Sequence, residues 1–528
     1  MLKGYNLVGQ RESSDGDQFL EVFSTVSQEM LPEKFSIATK AELNEAVSKA
    51  LTAFEIYKSV TPEARAIFLE TIAEEIMALG DDLIRRAMQE TGLPEARLLG
   101  ERGRTMGQLK LFANLLREGS WVEAVIDTAI PDRTPLPRAD IRKMLVPIGP
   151  VAVFGASNFP FAFSTAGGDT ASALAAGNPV IVKAHEAHLG TNEMMAGAIK
   201  TAIEKSSMPD GLFSFVTGPG ATTGMQLVTH PGIKAIGFTG SYKAGMAIFK
   251  AAANDRETPV PVYAEMSSIN PVLVLPEKIQ QDPAAVATML AGSVTLGTGQ
   301  FCTNPGLLFL IEDAATAPFI NELKERLASV PPSVMLNPGV CNNYYDSRLK
   351  MSGQPGVTTL HLGETGADSY KGSSALFQVS DDDFMQNADL QHEVFGPSTL
   401  LVVCKDPDSM LRSVQSLQGQ LTGTVLGTTN DIKSFTGIVD ALSNRVGRVV
   451  YNSVPTGVEV CHAMVHGGSF PSTTNAHYTS VGSEAILRFV RPLCLQDCPQ
   501  ELLPDALKND NPLQLMRKVN GTYTVDTI

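Results

Sequence analysis

The chain has 528 residues, 43% of them hydrophobic and 18% charged, and a net charge of −15. That length allows about three domain-sized units, and the composition is that of an ordinary globular protein rather than a disordered one. The acidic balance repels polyphosphate backbones and anionic membrane surfaces, so nucleic acid is excluded as an expected partner, and no run of eighteen apolar residues offers a membrane span.

The amino terminus, "MLKGYNLVGQRESSDG", lacks the apolar stretch of a secretory signal, which suggests a cytoplasmic protein. The first third reads as mostly helical. "TKAE" at Thr39–Glu42 is a capping box ahead of apolar residues at helical spacing. "TPEARAIFLETIAEEIMALG" has Thr61 as N-cap, Pro62 at the first helical position and Gly80 as a stop. A third helix is expected from near Pro94 through "GERGRTMGQLKLFANLLREG".

From about residue 120 the pattern changes. The proline-rich "DRTPLPRADIRKMLVPIGP" suggests an exposed hairpin or arm. Beyond it, "VAVFG", "PVIVKA", "LFSFVTG", "IKAIGFTG" and "VYAEM" alternate with helical stretches, which reads as βαβ units around a parallel sheet. A second alternation spans 270–450, with "NPVLVLP", "GLLFLIE", "TLLVVCK" and "RVVYN" as its strands. The fold class is therefore α/β in two lobes, a layout that does not by itself name a reaction.

Several loops carry residue types suited to chemistry. In "IGFTGSYKAG" a strand ends, Gly240 turns the chain and a helix opens at Ser241, which leaves free N–H groups for a phosphate. Gly218 and Gly220 of "VTGPGATTG" let a flat ring approach the backbone. Lys183 and Glu186, three apart after a strand, can both reach a ribose. Asn158 in "ASNFPFAF" would bury its amide at a cost of about 1–3 kcal/mol if unpaired. It suits donation to an oxyanion or a hold on its own turn before Pro160. Glu265 ends an apolar strand, where partial burial would raise a carboxyl pKa. Glu393 precedes the turn at Gly396–Pro397 in "QHEVFGP". Cys302 lies in "GQFCTNPG", among small, polar and chain-turning neighbours that favour exposure over a packed thiol.

The six cysteines are scattered too widely for a disulfide framework, and Cys494 and Cys498 have no second ligand pair at zinc spacing, so no metal site is expected. A cysteine peptidase would need a histidine tuned to Cys302, and no histidine motif stands out among the eight.

Taken in order, "SNFP", "K-x-x-E", "FTGSxxxG", "EMSSINP", "GQFCT" and "EVFGP" resemble the aldehyde dehydrogenase superfamily across nearly the whole chain. The resemblance implies a Rossmann-like cofactor domain over 1–130 and 150–264, a catalytic domain over 265–465, an oligomerisation arm over 131–149 and 480–498, and a tail over 499–528. It implies Cys302 as nucleophile, Asn158 at the oxyanion and Glu265 as general base. Lys183 and Glu186 would meet the adenosine ribose, Gly240 and Ser241 the pyrophosphate, and Glu393 with Phe395 the nicotinamide ribose and ring. Ser267–Ser268 departs from the family's usual glycine pair, with consequences for the cofactor pocket. The cofactor is NAD or NADP, the partner a small aldehyde, and the assembly a homodimer or homotetramer.

The stretches "HGGSFPSTT" and "TSVGSEAILRFVRPLCLQ" and the tail "LLPDALKNDNP" are similar to the branch acting on α-ketoglutaric semialdehyde. NADP-dependent long-chain aldehyde dehydrogenases share part of the pattern. A CoA-acylating enzyme would lack the Glu265 base, and a non-catalytic nucleotide-binding protein would need none of the three catalytic residues. A substrate with a far carboxylate needs a cation, for which Arg104, with Gln108 one turn on, is the expected partner. A surface helix arginine is the competing reading.

Overall fold

The computed structural model describes residues 2–528; Met1, where the first expected segment begins, lies outside them. Two seven-stranded sheets and a five-stranded arm sheet organise the chain. In the first large sheet, five parallel strands run in the order Val262–Glu265, Ala235–Thr239, Val151–Phe154, Val180–Lys183, Phe213–Val216. Those formed by 151–154, 180–183 and 213–216 are buried along their whole length, as strands covered by helices on both faces must be. The order reverses at Val151–Phe154, whose neighbours lead away in opposite directions. A crevice opens there at the carboxyl ends of the strands.

The chain leaves this sheet after Glu265 and enters the second one at Val272–Val274. There Leu307–Ile311 lies between Val272–Val274 and Ser398–Cys404, all parallel. The loops holding Cys302 and Glu393 precede two adjacent strands, so they meet at the amino ends of the second sheet, facing the crevice of the first.

The helices follow their signals. Thr39 makes a capping box with Glu42 at the head of Lys40–Tyr57, and Thr61 caps Pro62–Ala78. Gly119, in the left-handed region, ends Glu95–Glu118. The mostly helical expectation for the first third needs correction. Four short strands occupy Asn6–Val8, Arg11–Ser13, Phe19–Ser24 and Glu29–Ser36, and a further helix, Gly80–Thr91, begins where the stop was expected. The strands are short, and Phe19–Ser36 pairs only with itself as a hairpin, so neither leaves a strong apolar period. The proline-rich segment does lead into an arm strand, Ile141–Pro147, paired antiparallel with Val490–Gln496. The tail adds Arg517–Val519 and Thr522–Thr524 to that same sheet.

The helix after the Lys183–Glu186 segment, Leu189–Lys205, is held at its start by a residue far away in sequence. Glu90, fully buried, accepts the backbone N–H groups of Gly190 and Thr191, both at 2.8 Å, and the Thr191 hydroxyl at 2.7 Å. Arg86 donates to the same carboxylate at 2.8 Å. Glu90→Ala strips one partner from a buried ion pair and orphans two N–H groups, a loss of about 3–5 kcal/mol. The expected outcome is a clearly lower denaturant midpoint, followed through the fluorescence of the single tryptophan, Trp121. An unchanged midpoint would show that this helix is anchored elsewhere.

Candidate active site

Cys302 is placed by a strained approach and three hydrogen bonds. Gly299 has φ +65°, and a Cβ there would stand 2.2 Å from the carbonyl carbon of Gly396, so only glycine lets the cysteine loop lie against the Glu393 loop. Asn304 Nδ2 donates across the same junction to the Gly396 carbonyl at 3.2 Å. Asn270, buried, donates its amide to the Cys302 and Asn304 carbonyls, both at 2.9 Å. These ties fix the backbone and leave the residue half-buried in the cleft wall.

Around the thiol stand the other residues expected from the sequence. Asn158, nine-tenths buried, donates one amide hydrogen to the Gln300 carbonyl at 3.1 Å, which orients the amide beside Cys302. Arg97 bonds the Asn158 carbonyl at 2.9 Å and lies between the Phe159 and Phe301 rings, 4.5 Å from each. Glu265, at the end of its strand, is buried. One oxygen accepts the Ser480 hydroxyl at 2.7 Å, and the other lies 2.8 Å from His466 Nε2. That same nitrogen is 3.5 Å from Cys302 Sγ.

Two expectations are corrected here. A histidine is indeed set against Cys302, although no histidine motif marks it in the sequence. Its only signal was "HGGSFPSTT", read as a subfamily stretch. The Glu265 carboxyl is also not raised. Burial pushes it up, but His466, through its hydrogen bond and through its charge when protonated, the Ser480 hydroxyl and the Cys302 thiol together hold it below the usual value. The thiol moves the other way. Burial, then the charges of Glu265 and Glu393, push Cys302 well up, and Arg104 pulls it down. The resting group is therefore a thiol beside a carboxylate.

A cleft of about 440 Å³ opens from this point, lined by Asn158, Glu265 and Cys302 at one end and by Gly240 and Ser241 further along. Glu393 and Phe395 form part of its wall. Ser241 caps the helix Tyr242–Asn254 by accepting the Ala244 N–H at 3.4 Å, so the positive end of that helix lies at the cleft wall. Lys183 Nζ bonds Glu186 at 2.8 Å, and the Gly220 N–H bonds the same Glu186 oxygen at 2.9 Å, which leaves the second oxygen free. Gly218 has φ +150°, and a Cβ there would stand 2.0 Å from Thr223 Oγ1, so the turn beside Gly220 requires glycine.

Ser267 and Ser268 have separate tasks. The Ser267 hydroxyl accepts the Tyr242 N–H at 3.3 Å and also bonds Glu393. Ser268 is buried and bonds Asn270 and Gln420, so its side chain points away from the cleft. Burial pushes the Glu393 carboxyl up to about 7, with Ser267 and the Ser268 N–H opposing.

On the far side of the thiol, Arg104 lies over the Phe163 ring at 5.1 Å, and its Nε donates to the Val458 carbonyl at 3.3 Å. It is half-buried, not a free surface arginine. Burial lowers its pKa, and the charges of Glu101, Cys302 and Glu265 oppose that shift, which puts its guanidinium in the field of the thiol and the carboxylate. Gln108, one turn on, is buried against Gly168 with Nε2 unpartnered, and neither it nor Arg104 is among the residues that line the cleft.

Residues 11–491 match the family model described as "Aldehyde dehydrogenase family". The chain belongs to this family. It is 48% identical over 521 residues to alpha-ketoglutaric semialdehyde dehydrogenase 2 of Azospirillum brasilense, covering 98% of this chain and 99% of that one. It is 46% identical to alpha-ketoglutaric semialdehyde dehydrogenase of Acinetobacter baylyi over 93% of each. In structure, this aldehyde dehydrogenase matches betaine aldehyde dehydrogenase from Staphylococcus aureus in complex with NAD+, with TM-score 0.79 at 19% identity over 94% of this chain and 96% of that one. It also matches 1-pyrroline-5-carboxylate dehydrogenase from Thermus with bound NAD, with TM-score 0.79 at 20% identity over 93% and 92%. These two likenesses concern the fold alone.

The raised Glu393 carboxyl sets a pH dependence. Below about 7 it is neutral, and as pH rises through that value it becomes a charged hydrogen-bond acceptor in the cleft wall. The expected outcome is a cofactor KM that rises as pH falls below 7, a limb that Glu393→Gln abolishes. A KM independent of pH in the wild type would remove Glu393 from contact with the cofactor.

Proposed function

We propose that this aldehyde dehydrogenase oxidises 2,5-dioxopentanoate, the semialdehyde of α-ketoglutarate, to 2-oxoglutarate with NAD or NADP. The observation that carries the substrate assignment is Arg104. Among the described residues, only its Nε has a protein acceptor, the Val458 carbonyl. Its two terminal nitrogens therefore form an open fork beside Cys302, the geometry that receives a carboxylate by paired hydrogen bonds. The two bacterial relatives at 46–48% identity bear the name of that substrate.

A dinucleotide fits the cleft. The helix start at Ser241 suits its pyrophosphate, and Glu186 and Glu393 suit its two riboses. A carboxylate at Glu186 receives a 2′-hydroxyl and repels a 2′-phosphate, which favours NAD. Bound there, the cofactor supplies the hydride acceptor.

The chain's own residues do the rest. Glu265 takes the thiol proton, and the Cys302 thiolate attacks the aldehyde carbon. Asn158 offers its second amide hydrogen, and Cys302 its backbone N–H, to the oxyanion that forms, and one such donor is worth roughly 3–4 kcal/mol in the transition state. After hydride loss the acyl group is a thioester on Cys302. Glu265 gives up the thiol proton to solvent, and as a carboxylate again it draws a proton from water, which attacks the thioester and frees the acid.

The arm strand Val490–Gln496 and the strand Val446–Tyr451 each end a sheet with one edge unpaired. Such edges suit pairing between copies, as a homodimer or homotetramer. The free thiols suit a reducing, cytoplasmic setting. Among the described residues, no helix is long and apolar enough to cross a membrane.

Cys302→Ala is expected to abolish dehydrogenase turnover with NAD or NADP and 2,5-dioxopentanoate while leaving cofactor affinity within about threefold of wild type. Substantial remaining turnover would sink the nucleophile assignment. Arg104→Leu separates the substrates. A charged hydrogen bond is worth about 1.5–3 kcal/mol, so kcat/KM for 2,5-dioxopentanoate should fall roughly ten- to a hundredfold. An uncharged aldehyde of similar length should lose little. Equal losses on both would mean a packing defect and leave the carboxylate's partner elsewhere.

A further inference from the structure

The general base and the nucleophile share one neighbour, and it has a single hydrogen to give. His466 Nε2 lies 2.8 Å from a Glu265 oxygen and 3.5 Å from Cys302 Sγ. All three groups offer atoms within 4.8 Å of one another. The other ring nitrogen, Nδ1, is buried with no partner. A hydrogen placed there would be a buried orphan donor, whereas a bare lone pair is the lesser cost. In this tautomer, as in the protonated ring, a hydrogen sits on Nε2, aimed at both the carboxylate and the sulfur.

The ring has little freedom to turn. Its backbone N–H donates to Thr479 Oγ1 at 2.8 Å, and its carbonyl accepts the Ser480 hydroxyl at 3.0 Å. Phe163 meets the ring edge-on at 6.1 Å between centroids. Ser480 bonds Glu265 as well, so imidazole and carboxylate are fixed by the same short segment.

We infer that His466 is the proton-positioning residue of this enzyme, its Nε2–H following the negative charge from Glu265 to Cys302 as the nucleophile is made. In the resting state the hydrogen bond goes to the Glu265 carboxylate. The S–H bond then breaks and an O–H bond forms on Glu265, while the electron pair stays on sulfur. The carboxyl is now neutral, and with the ring in place the thiolate takes the larger share of the same Nε2–H. No proton leaves the trio and no further reactant is needed. The step is favoured because one donor stabilises whichever partner is charged, in a pocket where an unmet anion is costly. The other charged groups acting on the thiol are Glu393, which opposes ionisation, and Arg97, Arg104 and Arg448, which favour it. All four stay in place when His466 is replaced.

This inference rests on Cys302 as nucleophile but not on the substrate, so its test uses no aldehyde. The rate of Cys302 alkylation by iodoacetamide is followed against pH by peptide mass spectrometry, in the wild type, His466→Phe and His466→Gln. Phenylalanine keeps the ring packed on Phe163 and loses the donor, whereas the Gln side-chain amide can place an N–H near the Nε2 position. The expected result for His466→Phe is an alkylation midpoint at least one pH unit higher, which is about tenfold slower reaction at a pH below both midpoints. His466→Gln should stay within about threefold of wild type, and cofactor affinity should be unchanged in both. In turnover, the Phe variant should lose kcat with little change in KM.

A His466→Phe profile that superimposes on the wild type overturns the inference. So does a Gln variant as impaired as the Phe variant, since that would make the imidazole itself the base. Should the Phe variant not fold, His466→Met, also without a donor, carries the same expectation. If Cys302 is alkylated normally in every variant while Cys302→Ala still turns over, it is the underlying mechanism that fails.

Discussion

A carboxylate taken out of water has to be met by donors, and much of the site follows from how Glu265 is met. Its two oxygens are held by Ser480 and His466, both on the segment that returns to the end of the Glu265 strand. That return is itself bonded to the strand: Glu265 bridges to Thr473, and the Met266 N–H donates to the Ser472 carbonyl at 2.8 Å. The segment brings in the partners that make burial of the charge tolerable. Without it, the carboxyl would stay neutral and could not act as a base.

The thiol faces the opposite problem. Burial and two nearby carboxylates make its ionisation unfavourable, and three buried or half-buried arginines make it less so. Arg97 does this from among aromatic rings, and Arg448 while bonded to the carbonyls of Gly457 and Pro455. The balance keeps a protonated, weakly nucleophilic sulfur until a base acts. Arg104 is the one of these that burial and the charges of Glu101, Cys302 and Glu265 act on together, and it is the residue we propose for the far carboxylate.

The cleft arises from the way two sheets oppose each other. The first presents the carboxyl ends of its strands, with Asn158, Gly240 and Glu265 just beyond or at them. The second presents the amino ends of two adjacent strands, with Cys302 and Glu393 just before them. Gly299 is the point of contact between those two loops, and its missing side chain sets how near they come. Chemistry from one sheet and the nucleophile from the other then converge on one carbon.

What the sequence alone determined was local. Alternating apolar runs and helix caps marked the parallel strands and their crossovers, because burial on both faces and unpaired N–H groups impose residue types at short range. Six loop motifs singled out Cys302, Asn158 and Glu265 through the family resemblance they carry in order, and the structure brings these three to one cleft. The N-terminal strands and the helix Gly80–Thr91 were not legible, since short strands carry little apolar period and a glycine stop reads the same whether a helix or a loop follows. His466 could not be read at all: it lies 201 residues from Glu265 and 164 from Cys302, in an irregular stretch with no period of its own. Whether Glu265 is raised or lowered likewise depends on which donors fold back onto it. Tertiary structure alone decided these points, because a pKa and a shared hydrogen bond belong to the set of groups brought together and not to any one residue.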